Sequence, residues 1–212
     1  VRAGPGAAAA VAGTPTGTAI LWGGNLRPVK RPEWLLSLAA SLPQQAFVVF
    51  GGAARGHERY ARGIQAALAA MPNVDYLGAL PPSALPAVYA RCRTLIVTSA
   101  HEGFPNTMLA AWQHGLDVVA SVDPDRLLSD GALGLTATTL SRLRERLCES
   151  LAADPGILAR RRQRAQDYLR ANHDPVALAE AWETILLNIN RMRAWPLGCK
   201  TAPRPESRPL LW

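Results

Sequence analysis

A carboxylate in a polar turn, set between an apolar run and a helix-forming segment, is the feature of this sequence best placed to do chemistry. The turn is Ser99-Ala100-His101-Glu102-Gly103-Phe104-Pro105-Asn106. Before it, Thr94-Leu95-Ile96-Val97-Thr98 reads as a buried strand; after it, residues 107–114 read as a helix closed by Gly115. Such strand-to-helix turns offer unpaired backbone N–H groups at the positive end of a helix dipole, and so take anions. An isolated glutamate there is ordinarily a surface acid stabilised by the dipole. Here a second loop supplies the opposite charge: Trp22-Gly23-Gly24-Asn25-Leu26-Arg27-Pro28-Val29-Lys30-Arg31-Pro32. Its glycines let backbone approach a ligand, and Arg27, Lys30 and Arg31 follow within reach of a phosphate. Cations for a diphosphate facing an acid for sugar hydroxyls suit a nucleotide-sugar. A third loop, Phe50-Gly51-Gly52-Ala53-Ala54-Arg55-Gly56, either faces the ligand or only turns the chain. His101 is a candidate polar contact; the lone histidines His57, His114 and His173 point to nothing specific.

These loops need a scaffold, and the pattern of the chain supplies one. Apolar runs at 19–22, 46–50, 74–77, 94–98 and 118–121 alternate with helix-length segments at 32–42, 58–71, 83–90 and 107–114. Pro32 and Ser83 stand at helix starts. Short strands separated by helices imply right-handed βαβ units and a parallel sheet. Phe47-Val48-Val49-Phe50 is apolar on both faces, which a sheet covered by helices on both sides requires. The fold expected is thus α/β and Rossmann-like, with neighbouring strand ends sharing one crevice. Residues 122–137 read as loop; three helices then follow at 140–153, 157–171 and 175–192. Arg142, Arg144 and Arg146, then Arg160, Arg161, Arg162 and Arg164, read as solvated faces of amphipathic helices. The sharper alternative is a basic surface against anionic lipid. Residues 1–16 read as a linker or truncated end, 17–193 as the domain, and 194–212 as a disordered tail.

Composition narrows the classes. The chain has 212 residues and is 49% hydrophobic and 18% charged, enough for a real core. Its formal charge of +7 fits phosphate ligands, anionic membrane or nucleic acid. Nucleic acid is not expected, because the aromatic residues are not interleaved with the basic ones. The basic residues are arginines apart from Lys30 and Lys200. Cys92, Cys148 and Cys199 lie far apart and form no C-x-x-C pair, so neither metal nor redox chemistry is expected. Sparse cysteines and the lack of a long apolar run suggest a cytoplasmic protein without a spanning helix, at most peripheral to a membrane.

The sequence resembles the C-terminal, donor-binding domain of the retaining GT-B glycosyltransferases known as group 1, the glycogen-synthase-like and mannosyltransferase type. Four segments carry the likeness in the family's order: 22–32, Pro72-Asn73-Val74-Asp75-Tyr76-Leu77-Gly78, 99–112, and Gly115-Leu116-Asp117-Val118-Val119-Ala120-Ser121. The resemblance implies one half of a GT-B fold plus C-terminal helices, and a hexosyltransferase using a nucleotide-sugar donor. Lys30 matches the lysine for the donor diphosphate, and Glu102 the acid for the transferred sugar; these two are the expected catalytic pair. Gly24, Asn25 and Arg27 on the first loop are expected at the donor, as are Gly103, Phe104, Pro105 and Asn106 on the turn. Leu80 lies where the family's backbone meets the nucleobase. No metal or other cofactor is implied, since positive side chains and helix-end amides would stabilise the departing diphosphate.

Three departures qualify that expectation. The family's second glutamate, eight residues after the first, is Ala110; the missing carboxylate would hold the donor ribose. Its loss costs about 1.5–3 kcal/mol, on the order of ten- to a hundredfold in affinity. Asn25 replaces an arginine, for which Arg27 is the candidate substitute. Asp117 replaces a proline and adds no evident chemistry. The family's acceptor-binding N-terminal domain is not represented, so activity is expected to need an N-terminal half or a separate acceptor-binding chain. The alternative is a degenerate, non-catalytic interaction module.

Overall fold

The computed structural model describes residues 17–193, with side chains through 188. The readings of 1–16 as linker and 194–212 as tail lie outside the described residues. The chain divides into two compact units, one through Ala171 and one from Asn172. Within the first, six strands form one parallel sheet in the order β3-β2-β1-β4-β5-β6. The strands are β1 Ala19–Gly23, β2 Phe47–Phe50, β3 Val74–Tyr76, β4 Cys92–Val97, β5 Asp117–Ala120 and β6 Leu135–Thr136. The helices are α1 Pro32–Ser41, α2 Glu58–Ala69, α3 Leu85–Ala90, α4 Asn106–Gln113, α5 Leu140–Ala152 and α6 Pro155–Asn172. The second unit contains α7, Pro175–Arg193, on which Val176, Leu178, Trp182, Ile185, Leu186 and Leu187 are exposed. No helix among the described residues is long and apolar enough to cross a membrane.

Period-two alternation along each strand builds two cores. Leu21, Val48, Leu95, Val97 and Val118 point to one face and pack with Tyr89 of α3, Met108 and Trp112 of α4, and Ala165 of α6. Ile20, Trp22, Val49, Ile96 and Val119 point to the other and pack with Leu35, Leu38, Leu68, Leu143 and Leu147 of α1, α2 and α5. Both faces of the central strands are therefore buried, which is why β1 and β2 carry no polar side chain.

Local chemistry sets the helix ends. Pro32 opens α1 as its first residue. Thr139 caps α5, its hydroxyl accepting from Arg142 N. Gly115, at φ 71°, closes α4: Gly115 N donates to Trp112 O and Leu116 N to Ala111 O, the paired bonds of a Schellman motif. Ser83 behaves differently from expectation. It lies in a 3-10 turn, Pro82–Ala84, and α3 starts at Leu85 without a side-chain cap. The segment 122–137 is not all loop, because Leu135–Thr136 pairs with β5 as a short edge strand. Two residues were too few to signal a strand by alternation.

The arginine-rich helices also correct the reading of uniformly solvated faces. Arg161 of α6 donates to the carboxylate of Asp117 at 2.7 Å, and that carboxylate is fully buried. Ser150 of α5 donates to the same Oδ2 at 2.6 Å and lies 3.3 Å from the Thr94 hydroxyl. Arg162 is partly buried and donates to the carbonyl of Arg93, which in turn donates to Ser150 O. Asp117 thus ties α5 and α6 to the amino-terminal end of β5. It does structural work where the sequence showed none.

Candidate functional site

The strand order reverses at β1: the chain runs outward through β2 and β3, then returns to place β4 on the other side of β1. Ligands of open α/β sheets bind in the crevice at the carboxyl ends of the strands flanking such a switch point. The loops found there are those singled out from sequence, 23–31 after β1 and 98–105 after β4. Ala100 N donates to Val29 O at 2.7 Å, joining the two loops. Across them Lys30 Nζ makes an ion pair with Glu102 Oε1, the side chains being 19% and 14% exposed. The two residues expected to form the catalytic pair are therefore in direct contact.

Each partner is held from beneath. Lys30 ends a 3-10 turn, Pro28–Lys30, and Arg31 turns the chain into α1 with φ 45°. The buried indole of Trp22 donates to Thr98 Oγ1 at 2.9 Å, and the Thr98 hydroxyl donates to the Lys30 carbonyl at 2.7 Å. On the other side the Ser99 hydroxyl donates to Glu102 Oε1 at 2.6 Å, and the Ser121 hydroxyl donates to Ser99 O at 2.6 Å. The sequence reading gave no role to Trp22, Thr98, Ser99 or Ser121. Its available signal was alternation: Trp22 and Thr98 end neighbouring strands on one face, and a buried indole there needs an acceptor.

The other expected residues divide. Gly24, at φ 158°, faces the aliphatic stem of Lys30, and an added Cβ would meet Lys30 Cδ and Cε at 3.8 Å. Gly103 is exposed, and an added Cβ there would meet nothing within 4 Å. Pro105 is buried at the start of α4 and Asn106 is exposed as its first residue. Phe104 packs edge-on against Trp112, ring centres 6.2 Å apart. Asn25 and Arg27 stand exposed, and their side chains make no hydrogen bond or ion pair among the described residues; the Arg27 carbonyl accepts from Lys30 N at 3.0 Å. Leu80 follows β3, two strands from β1, and is packed against the core. Ala110 lies one turn into α4, partly buried against the same core.

The 50–56 loop settles as a packing turn at its start. Gly51 has φ 141°, and a Cβ there would fall 1.8 Å from Gly24 O. Its N–H donates to Gly78 O, while Gly24 N donates to Phe50 O and Leu26 N to Gly52 O. The loops after β1, β2 and β3 are thus laced together by backbone bonds into one continuous wall. His114 is no part of it: its ring stacks on Tyr89 at 4.9 Å, and burial pushes its pKa down. No group of three or more metal-ligating side chains occurs among the described residues.

A six-stranded parallel sheet of this order, with helices on both faces, is Rossmann-like and matches one half of a GT-B fold. The sequence profile of the glycosyl transferases group 1 matches residues 17–153, and the chain belongs to that family. No curated protein sequence matches it. Among solved structures, sucrose-phosphate synthase from Thermosynechococcus elongatus is similar with a TM-score of 0.72 at 19% identity, over 84% of this chain and 46% of that one. Anabaena HepE, solved with UDP and glucose, gives 0.68 at 21% identity over 81% and 49%. The pneumococcal O-GlcNAc transferase GtfA, solved with UDP and GlcNAc, gives 0.64 at 18% identity over 84% and 38%. The chain spans less than half the length of each.

Proposed function

We propose that the crevice between the β1 and β4 loops is the donor site of a hexosyltransferase. The donor is a nucleotide-sugar, and an acceptor-binding half completes the cleft. The observation that carries this reading is the Lys30–Glu102 pair at the topological switch point. Lys30 would exchange part of its contact with Glu102 for a donor phosphate; its ammonium has three protons to share. The unpaired N–H groups at the start of α4 face developing negative charge in the same way. Together they would stabilise the nucleoside diphosphate as the bond from the sugar's anomeric carbon to its phosphate oxygen breaks and the oxygen leaves with the electron pair. Glu102 would hold the sugar by its hydroxyls. This chemistry needs no metal, and the resemblance points to retention of anomeric configuration. UDP and sugar in the HepE and GtfA structures support the choice of ligand class.

Ala110 gives the reading a direct test. If the ribose lies over the second turn of α4, Ala110→Glu restores an acceptor for its hydroxyls. UDP affinity then rises on the order of tenfold, the lower end of a hydrogen bond to a charged group. The measurement is the rise in melting temperature caused by millimolar UDP, compared between the variant and the unchanged chain. An equal rise in both contradicts the ribose placement. No rise in either favours the alternative of a non-catalytic module.

A further inference from the structure

We infer that Ser99 is a positioning residue for Glu102, one that fixes which carboxylate oxygen meets the sugar; this rests on the nucleotide-sugar reading above. Ser99 is only 2% exposed, and it immediately follows the strand-end residue that anchors Lys30. Successive side chains at a strand end point to opposite faces. Thr98 accordingly bonds the Lys30 carbonyl while Ser99 bonds the Glu102 carboxylate. One dipeptide therefore sets the acid against the base from both sides. Ser99 is itself braced, since its carbonyl accepts the Ser121 hydroxyl from the end of β5.

The division of the two carboxylate oxygens gives this arrangement its consequence. Ser99 and Lys30 both donate to Oε1. Oε2 takes no hydrogen bond among the described residues, and the side chain keeps a 14% opening to solvent. A carboxylate fixed through one oxygen presents the other in a defined direction, and an incoming hydroxyl need not pay to order it. Without Ser99 only the flexible Lys30 stem restrains the carboxylate. The sugar half of the ligand then loses a preset acceptor, while the diphosphate half keeps its lysine.

Two readouts on Ser99→Ala test this. Lys30 and Lys200 are the chain's two lysines, so acylation by an amine-selective reagent, read on their separate peptides, reports Lys30 against an internal standard. In the ligand-free Ser99→Ala chain, Glu102 leaves Lys30 more often, and the Lys30 rate rises about threefold or more relative to Lys200. Ser99→Thr, which keeps the hydroxyl, restores the slow rate. Calorimetry then compares UDP-glucose with UDP: Ser99→Ala weakens the first about tenfold and the second less than twofold. An unchanged Lys30 rate, or equal losses for the two ligands, overturns the proposal. If the unchanged chain binds neither ligand, the nucleotide-sugar reading fails, and the Lys30 rate alone still decides whether Ser99 positions Glu102.

Discussion

Replacing Asp117 with alanine lowers the unfolding free energy by about 3–5 kcal/mol, the usual cost of stranding buried charge by removing one partner. The carboxylate is fully buried and accepts from both Arg161 and Ser150. Without it the Arg161 guanidinium, itself mostly buried, has lost its counter-charge. Asp117→Asn keeps an oxygen that can accept from Ser150 and Arg161, and loses less. Urea denaturation of the three proteins measures the effect. A loss under about 1 kcal/mol for the alanine variant contradicts the account of Asp117 as the tie between β5, α5 and α6. The proposed donor crevice lies at the opposite, carboxyl end of the sheet, so nucleotide affinity measured well below the transition should change little.

Trp112→Ala has a comparable effect, about 3–5 kcal/mol for truncating a large buried aromatic, but it reaches the crevice. Trp112 is fully buried, and its indole donates to Leu133 O at 3.2 Å. Its ring meets Phe104 edge-on from one side and Tyr168 of α6 at 5.8 Å from another. Phe104 belongs to the turn that carries Glu102. The cavity left by alanine therefore loosens the turn as well as the core, and the variant shows both a lower urea midpoint and faster amide exchange over 102–106. Trp112→Phe keeps most of the packing and loses only the indole hydrogen bond and part of the ring. Faster exchange confined to α4 and α6, with 102–106 unchanged, would show that Trp112 does not support the turn.

The parallel sheet was legible because burial on both faces writes itself into the strands: Phe47-Val48-Val49-Phe50 has no polar position, and the structure sends its residues alternately to two cores. The chain positions of the two loops were equally plain. Their contact was not, since 72 residues separate Lys30 from Glu102 and only the strand order β1-β4 brings them together. The hydroxyls that hold the pair were hidden for the same reason. Thr98 and Ser99 look like ordinary strand-end residues until Trp22 and Ser121 arrive from neighbouring strands. The tie made by Asp117 is not legible in sequence because its partners lie on helices that follow it by more than thirty residues. Composition does not distinguish Arg161, which turns inward to Asp117, from the exposed Arg164 three residues on.

Lys30 and Glu102 stand at the core of the proposed nucleotide-sugar site. Titration calorimetry with UDP-, GDP- and ADP-linked hexoses on the unchanged chain and on Lys30→Ala tests it most directly. At least one of them is expected to bind saturably and one-to-one, weakened about ten- to a hundredfold by loss of the lysine, as for a hydrogen bond to a charged group. No binding at millimolar concentration, or equal affinity in Lys30→Ala, would contradict it.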